Sequence, residues 1–390
     1  MTSRDPGEAH RVSTPLELLF DLCFVVAVAQ AGQHLHHGIA AGHTAAALCG
    51  YAAVFFAIWW AWMNFTWFAS AYDTDDVPHR LAVLVQITGV LLIAAGVPRA
   101  FERGDFGVVT VGYAVMRVGL IAGWLRAAQA DRRGRTTALR YAAGVAACQV
   151  GWIAALWLPA SLAWIVFPVM VPCELAVPVW AERRVRTTWH PHHIAERYGL
   201  LTLIVLGESV LAATVAIQSA VDGGSMGAAL LCVITGAPLI IFSMWWLYFD
   251  HHAQAHLVSN RVAFVWGYGH YLVFASVAAV GAGLALAVDQ AIGHAHLADA
   301  AAGEALAVPV ALYVLSLWLI HMGPARRRWR TIAFPTASVA VLAAGLAGPR
   351  GAVAIGLVLA ALVAWSVVHV GRERAGAAGH STAASGSENT

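Results

Sequence analysis

The chain has 390 residues, 60% of them hydrophobic and only 11% charged, where an ordinary soluble domain carries about 25% charged residues. That balance excludes a water-soluble globular protein and places the chain in lipid. A net charge of +2 is too small to suggest nucleic-acid binding, the use of arginine for all 23 basic residues reflects genome composition, and Cys23, Cys49, Cys148, Cys173 and Cys232 fall singly inside apolar runs, so neither a disulfide framework nor a cysteine metal site is expected.

A spanning helix needs about 20 mostly apolar residues. In chain order such runs lie near 16–37, 46–70, 80–97, 107–128, 138–158, 161–180, 194–218, 226–249, 260–287, 304–322, 331–347 and 351–370. The predicted fold is an all-α polytopic bundle of about twelve spans; Pro335, Gly345, Gly348 and Pro349 interrupt the last two, which sets the range at ten to twelve. Arg4 and Arg11 before the first run, with Ala27-Val28-Ala29 inside it, resemble a signal peptide, but Glu17 and Asp21 occupy what should be its uncharged core, so no cleavage is expected. With the N-terminus inside, every arginine falls on a cytoplasmic segment except Arg99, Arg103 and Arg350 outside and Arg117 within a span. Both termini are therefore expected in the cytoplasm, and the membrane is expected to be the inner one.

An internal repeat divides the chain. Trp59-Trp60 in the second span and Trp245-Trp246 in the eighth each lead into a loop rich in acids and histidines, and His79-Arg80-Leu81-Ala82 parallels Asn260-Arg261-Val262-Ala263. Glu17-Leu-Leu-Phe-Asp21-Leu also matches Glu196-Arg-Tyr-Gly-Leu-Leu loosely. The expected organisation is a tail (1–15), a six-helix half (16–182), a linker (183–193), a second six-helix half parallel to the first (194–372) and an Ala-, Gly- and Ser-rich disordered end (373–390).

Ionisable residues inside a bilayer cost about 2.5–3.5 kcal/mol on insertion scales and must face protein or water. Five need explaining. Thr14-Pro15-Leu16-Glu17 reads as a capping box, which makes Glu17 structural. Asp21, one turn deeper on the same face, cannot cap, and Arg117 in the fourth span is its expected counter-charge. Glu174 lies among Pro168, Pro172 and Pro178, which are expected to break the sixth helix and open a cavity around the carboxylate. Glu208, in Gly207-Glu208-Ser209, sits about 14 residues into its span, near mid-membrane. A carboxyl able to change charge there is the usual relay of a proton-coupled carrier.

The loops offer a weaker metal hypothesis. Histidines cluster at His34/His36/His37, His190/His192/His193 and His251/His252/His256, and Asp73, Asp75 and Asp76 share one loop, but no ligand set is complete and Asp76 suits a cap before Pro78. No metal or cofactor is expected, and no nucleophile elbow, phosphate loop or dinucleotide fingerprint is present.

Four stretches resemble the bacterial low temperature requirement A family: Glu17-Leu-Leu-Phe-Asp21-Leu-Cys-Phe-Val; Trp59-Trp60-Ala-Trp-Met-Asn64-Phe-Thr-Trp67-Phe-Ala; Asp73-Thr-Asp75-Asp76-Val-Pro-His-Arg80-Leu; and His193-Ile-Ala-Glu196-Arg197-Tyr-Gly-Leu-Leu-Thr-Leu-Ile-Val-Leu-Gly207-Glu208-Ser209. The resemblance covers about residues 10 to 370, with Cys23 standing where the family usually has an aliphatic residue. It implies a polytopic inner-membrane protein linked by name to growth in the cold, without implying a particular chemistry. It also draws attention to Glu17, Asp21, Asn64, Asp73, Asp75, Asp76, Arg80, Glu196, Arg197, Glu208 and Ser209.

The functional expectation is a secondary transporter or ion pathway for a small solute. Asp21 and Glu208 couple protons or cations, Arg117 neutralises one of them, Ser209 and Asn64 donate hydrogen bonds, and Glu174 lines the cavity. Two alternatives stand beside it: an intramembrane enzyme acting on lipid or isoprenoid head groups through the Asp73/Asp75/Asp76 and His251/His252/His256 loops, and a non-catalytic cold-stress sensor or scaffold. Expected partners are membrane lipid and a small solute or cation, with no nucleic acid; a homo-oligomer is left open.

Overall fold

A computed structural model describes residues 1–4, 12–159, 162–224, 226–250, 257, 259–295, 297–321 and 328–386. The chain order is α1 (Pro15–Ala40), α2 (Thr44–Ala71), α3 (Val77–Arg103), α4 (Gly107–Ala130), α5 (Arg135–Ala155), α6 (Ala163–Ala181), α7 (Pro191–Asp222), α8 (Ala228–Phe249), α9 (Asn260–Ala291), α10 (Asp299–His321), α11 (Arg328–Gly345) and α12 (Gly351–Gly386). Among the described residues the only sheet is a two-residue antiparallel bridge, Thr2–Ser3 against Tyr72–Asp73. Among the described residues nine helices are long and apolar enough to cross a membrane. The chain is an all-α, multi-pass membrane protein. The predicted spans at 161–180 and 331–347 correspond to shorter apolar helices, Ile165–Ala181 and Thr331–Gly345. α12 stays helical to Gly386, into the segment read from the sequence as a tail.

Helix ends follow local chemistry. Thr14 caps α1 as one arm of a complete capping box, its side chain accepting from the Glu17 amide while the Glu17 carboxylate accepts from the Thr14 amide at 2.7 Å. Pro15 fills the first helical position, where no amide donor is needed. Asp76 caps α3 by accepting from the His79 amide at 2.9 Å, and Gly104 ends it in the left-handed conformation (φ 63).

The sixth helix is not broken. Pro168, Pro172 and Pro178 all lie inside a continuous α6. Each proline removes one amide donor from a different turn, the intervening turns keep their bonds, and neighbouring protein tolerates such gaps within a membrane. The expected cavity of freed carbonyls is therefore not what surrounds Glu174.

The chain forms two compact units, Met1–Ala212 with His252–Ala282, and Ala213–His251 with Gly283–Thr390, so α7 and α9 contribute to both. In the first unit α2 is buried on all sides from Trp59 to Phe65, with only Thr44–Gly50 largely open. α3 and α4 pack backbone to backbone: a Cβ at Gly112 would lie 2.6 Å from the Ile93 nitrogen and 2.7 Å from the Gly89 oxygen. Small residues allow this approach, the usual way helices associate in lipid. In the second unit α8 packs on α12 and α10 on α11, and the Tyr313 hydroxyl of α10 donates to the Met244 carbonyl of α8 at 2.7 Å. The paired tryptophans of the repeat differ in environment: Trp59 and Trp60 are 3% and 1% exposed, Trp245 and Trp246 43% and 45%.

Candidate functional site

Two separate groups of buried charges in the first unit gather on α2 and its neighbours. In the first, α1 presents Glu17 and Asp21, four residues apart, and α7 presents His193 and Arg197, also four apart. One turn of helix separates each pair, so both residues lie on one face. His193 Nε2 lies 3.3 Å from Glu17, and Arg197 Nη2 donates to Asp21 Oδ1 at 2.6 Å. The two rungs share the same offset of 176 residues. α1 and α7 therefore run parallel and in register.

α2 closes this ladder from the side. The Trp62 indole donates to Asp21 Oδ1 at 2.7 Å, and Arg197 Nη2 donates to the Thr66 hydroxyl at 3.3 Å. Asp21, Thr66, His193 and Arg197 are wholly buried. Burying a charge is costly unless it is paired and hydrogen-bonded, and the pair meets that condition only in part. Asp21 Oδ2 and the Nε and Nη1 atoms of Arg197 have no hydrogen-bond partner among the described residues.

Two residues back along α2, Trp60 points to the second group. Its indole donates to Glu174 Oε2 at 2.9 Å, while Tyr113 and Trp152 donate to Oε1 at 3.0 and 3.1 Å. Arg117 Nη2 lies 3.6 Å from Glu174, donates to the Tyr113 hydroxyl, and holds its guanidinium over the Tyr113 ring at 4.4 Å. Nε and Nη1 of Arg117 again lack partners among the described residues. The indoles at positions 60 and 62 thus serve carboxylates on different sides of one helix, because residues two apart point about 200° from each other.

This arrangement corrects the expected pairing. Asp21 meets Arg197, and Arg117 meets Glu174. Arg197 lies one and a half turns inside α7, deep enough to be sealed, although its sequence neighbourhood of His and Glu reads as an aqueous boundary. The recognisable signal was the shared four-residue spacing of Glu17/Asp21 and His193/Arg197, which by itself does not say that α1 and α7 are neighbours.

The other candidates have local roles. Glu208 lies on the flank of α7, half-buried, with no hydrogen-bond or ion-pair partner among the described residues. Ser209 beside it donates to the Val277 carbonyl at 2.8 Å and so ties α7 to α9. The Asn64 amide donates to the Trp60 carbonyl at 2.7 Å within α2. Glu196 accepts from the Ser13 amide at 3.3 Å. Asp73 pairs through its backbone with Thr2. Arg80 binds both Asp75 oxygens at 2.8 Å, and Arg126 binds Asp76 at 2.6 Å. The Arg80 hydrogen bonds hold the Asp75 carboxyl below its ordinary value, as the Arg126 hydrogen bond does for Asp76. No group of metal-ligating residues forms among the described residues; His251, His252 and His256 lie outside them.

A third polar knot was not foreseen. Glu182, buried just after α6, accepts from Tyr141 at 2.8 Å, Thr187 at 2.7 Å and Asn260 at 2.5 Å, and the Asn260 oxygen accepts from the Trp189 indole at 3.1 Å. Burial pushes the Glu182 carboxyl up, and the hydrogen bonds from Thr187, Tyr141 and Asn260 offset part of that rise.

Apolar helices enclosing two paired, incompletely satisfied buried charges define a polytopic membrane protein with charged groups held inside its bundle. Residues 12–370 match the family described as bacterial low temperature requirement A protein. The chain belongs to that family. It is also 26% identical over 325 residues to an uncharacterised protein of Rhizobium meliloti (strain 1021), covering 78% of this chain and 76% of the relative.

Proposed function

We propose that the chain is a secondary carrier or ion pathway for a small solute in the bacterial inner membrane, with both termini in the cytoplasm. The observation that carries this reading is the set of polar atoms on the two buried ion pairs that lack a hydrogen-bond partner among the described residues: Asp21 Oδ2, and Nε and Nη1 of both Arg197 and Arg117. A pair that only braces helices gains by saturating every donor and acceptor, because each one left bare is costly. Atoms left bare around two opposite charges suit a site that admits water or a solute.

In this reading Asp21 is the coupling carboxylate and Arg197 its resident counter-charge. A proton or cation arriving at Asp21 weakens its hold on Arg197, whose free nitrogens then engage an anionic or hydroxylated solute. Glu174 and Arg117 form a second polar station beyond α2, Glu208 relays charge along α7, and Ser209 and Asn64 fix the helices that carry these groups. The placement of arginines outside the spans supports the assigned sides.

The divalent-ion enzyme reading draws less support, since Asp75 and Asp76 are each held by an arginine. Proton and solute flux in proteoliposomes tests the carrier reading. Asp21→Asn and Glu208→Gln are expected to abolish or uncouple flux; Glu208→Gln should do so without loss of stability, whereas Asp21→Asn also strands the buried Arg197 charge and is read on the fraction that remains folded. Unchanged flux in both variants removes these carboxylates from any transport cycle, and folding defects without a flux change favour the scaffold.

A further inference from the structure

The α5–α6 hairpin collects arginines at one end. Arg132 and Arg133 lie in the turn before α5, Arg135 opens it, and Arg183, Arg184 and Arg186 follow α6. Three contacts bring the two stretches together: Thr137 Oγ1 donates to the Val185 carbonyl at 2.8 Å, Tyr141 donates to Glu182 at 2.8 Å, and the Arg140 guanidinium lies 5.8 Å from the Trp180 ring centre. All six end arginines are exposed.

The acids nearby are already occupied. Asp131 Oδ1 accepts the Arg133 and Gly134 amides, both at 3.0 Å, and Glu182 is buried in its knot. None of the six arginines makes an ion pair among the described residues. One or two turns along the same helices the surface turns apolar, with Leu139, Val179 and Trp180 exposed. A band of guanidinium groups bordering exposed aliphatic and indole surface has the chemistry of a bilayer boundary.

We propose that this end of the hairpin is a binding site for the phosphate headgroup of an anionic phospholipid. Guanidinium groups grip phosphate oxygens in pairs, and Leu139 and Trp180 offer apolar surface to the acyl chains. The greasy border is what favours a lipid over a soluble polyanion, which would gain nothing from it. The proposal stands apart from the carrier reading and holds whether or not the chain transports anything.

Native mass spectrometry of the full chain in neutral detergent, titrated with phosphatidylglycerol or phosphatidylcholine, tests it. The wild type is expected to prefer phosphatidylglycerol. Each arginine near an anionic surface contributes roughly a fivefold change in affinity, so the R183Q/R184Q/R186Q variant should lose on the order of a hundredfold of that preference. The substituted positions are exposed, so the melting temperature without lipid should not change; should it fall, R132Q/R135Q across the hairpin makes the same measurement. Phosphatidylglycerol binding that survives these substitutions overturns the proposal. Inorganic phosphate displacing the lipid with matching affinity also overturns it and reassigns the arginines to a soluble anion.

Discussion

At the scale of single residues, the Asp21–Arg197 pair is the most exposed to test. Arg197→Gln leaves a sealed carboxylate supported, among the described residues, only by the Trp62 indole, and stranding one member of a buried pair costs about 3–5 kcal/mol. Thermal unfolding in detergent should show a large drop for Arg197→Gln and recovery of most of it in Asp21→Asn/Arg197→Gln, which leaves no bare charge. Equal losses in the single and double variants would deny the coupling. The tryptophans give a finer contrast. Trp62→Phe removes a donor to an ionised group, worth about 1.5–3 kcal/mol. Trp59→Phe deletes an indole nitrogen with no partner among the described residues and should cost less by about that difference. The sequence disclosed which residues were chemically out of place, because a carboxylate or guanidinium within an apolar run is visible without coordinates. It did not disclose their partners: Arg117 stood alone as a cation within an apolar run, while Arg197 read as part of the aqueous boundary, and only helix adjacency and rotation bring it to Asp21.

Elements were legible where their signals are local. Thr14, Asp76 and the apolar run lengths place both bounds of α1 and α2 and the start of α3 within a few residues of those observed, since capping and hydropathy act over one or two turns, whereas α3 continues to Arg103, beyond its expected end at 97. α6 misled because prolines weaken a helix locally, while its continuity depends on what surrounds it. The close approach of α3 and α4 was also unreadable, because a glycine's reason for being there lies on the facing helix. Gly112→Leu would push side-chain atoms into the backbone at Ile93 and Gly89, and overpacking of this kind costs about 1–3 kcal/mol or more. A Gly112→Leu chain that melts like wild type would show that α3 and α4 do not pack so closely. The Glu182 knot predicts a pH effect. Burial raises this carboxyl above its ordinary value, so on going from acid to neutral pH the unfolded chain releases the proton before the folded chain does. Stability then falls as pH rises through that interval. Glu182→Gln, followed by melting from about pH 4 to pH 8, should flatten this decline; parallel curves for variant and wild type would exclude Glu182 as its source.

For the molecule as a whole, composition alone settled the membrane class, since no soluble core could absorb so apolar a chain. Its division into compact units was not legible, because units follow contacts between distant helices while the repeat follows sequence similarity. The Glu17–His193 and Asp21–Arg197 rungs carry a topological consequence. Two spanning helices that run parallel must be separated by an odd number of crossings. α2, α3 and α4 supply three clear ones, so α5 and α6 cross together or not at all. In either case Ser13, just before α1, and Thr188, just before α7, lie on the same side of the membrane. Single cysteines at these two positions, in a chain whose five native cysteines are replaced, should react with a membrane-impermeant maleimide from the same side of sealed vesicles. Labelling from opposite sides would require an even number of crossings between α1 and α7, and the parallel ladder that places Arg197 against Asp21 could not form.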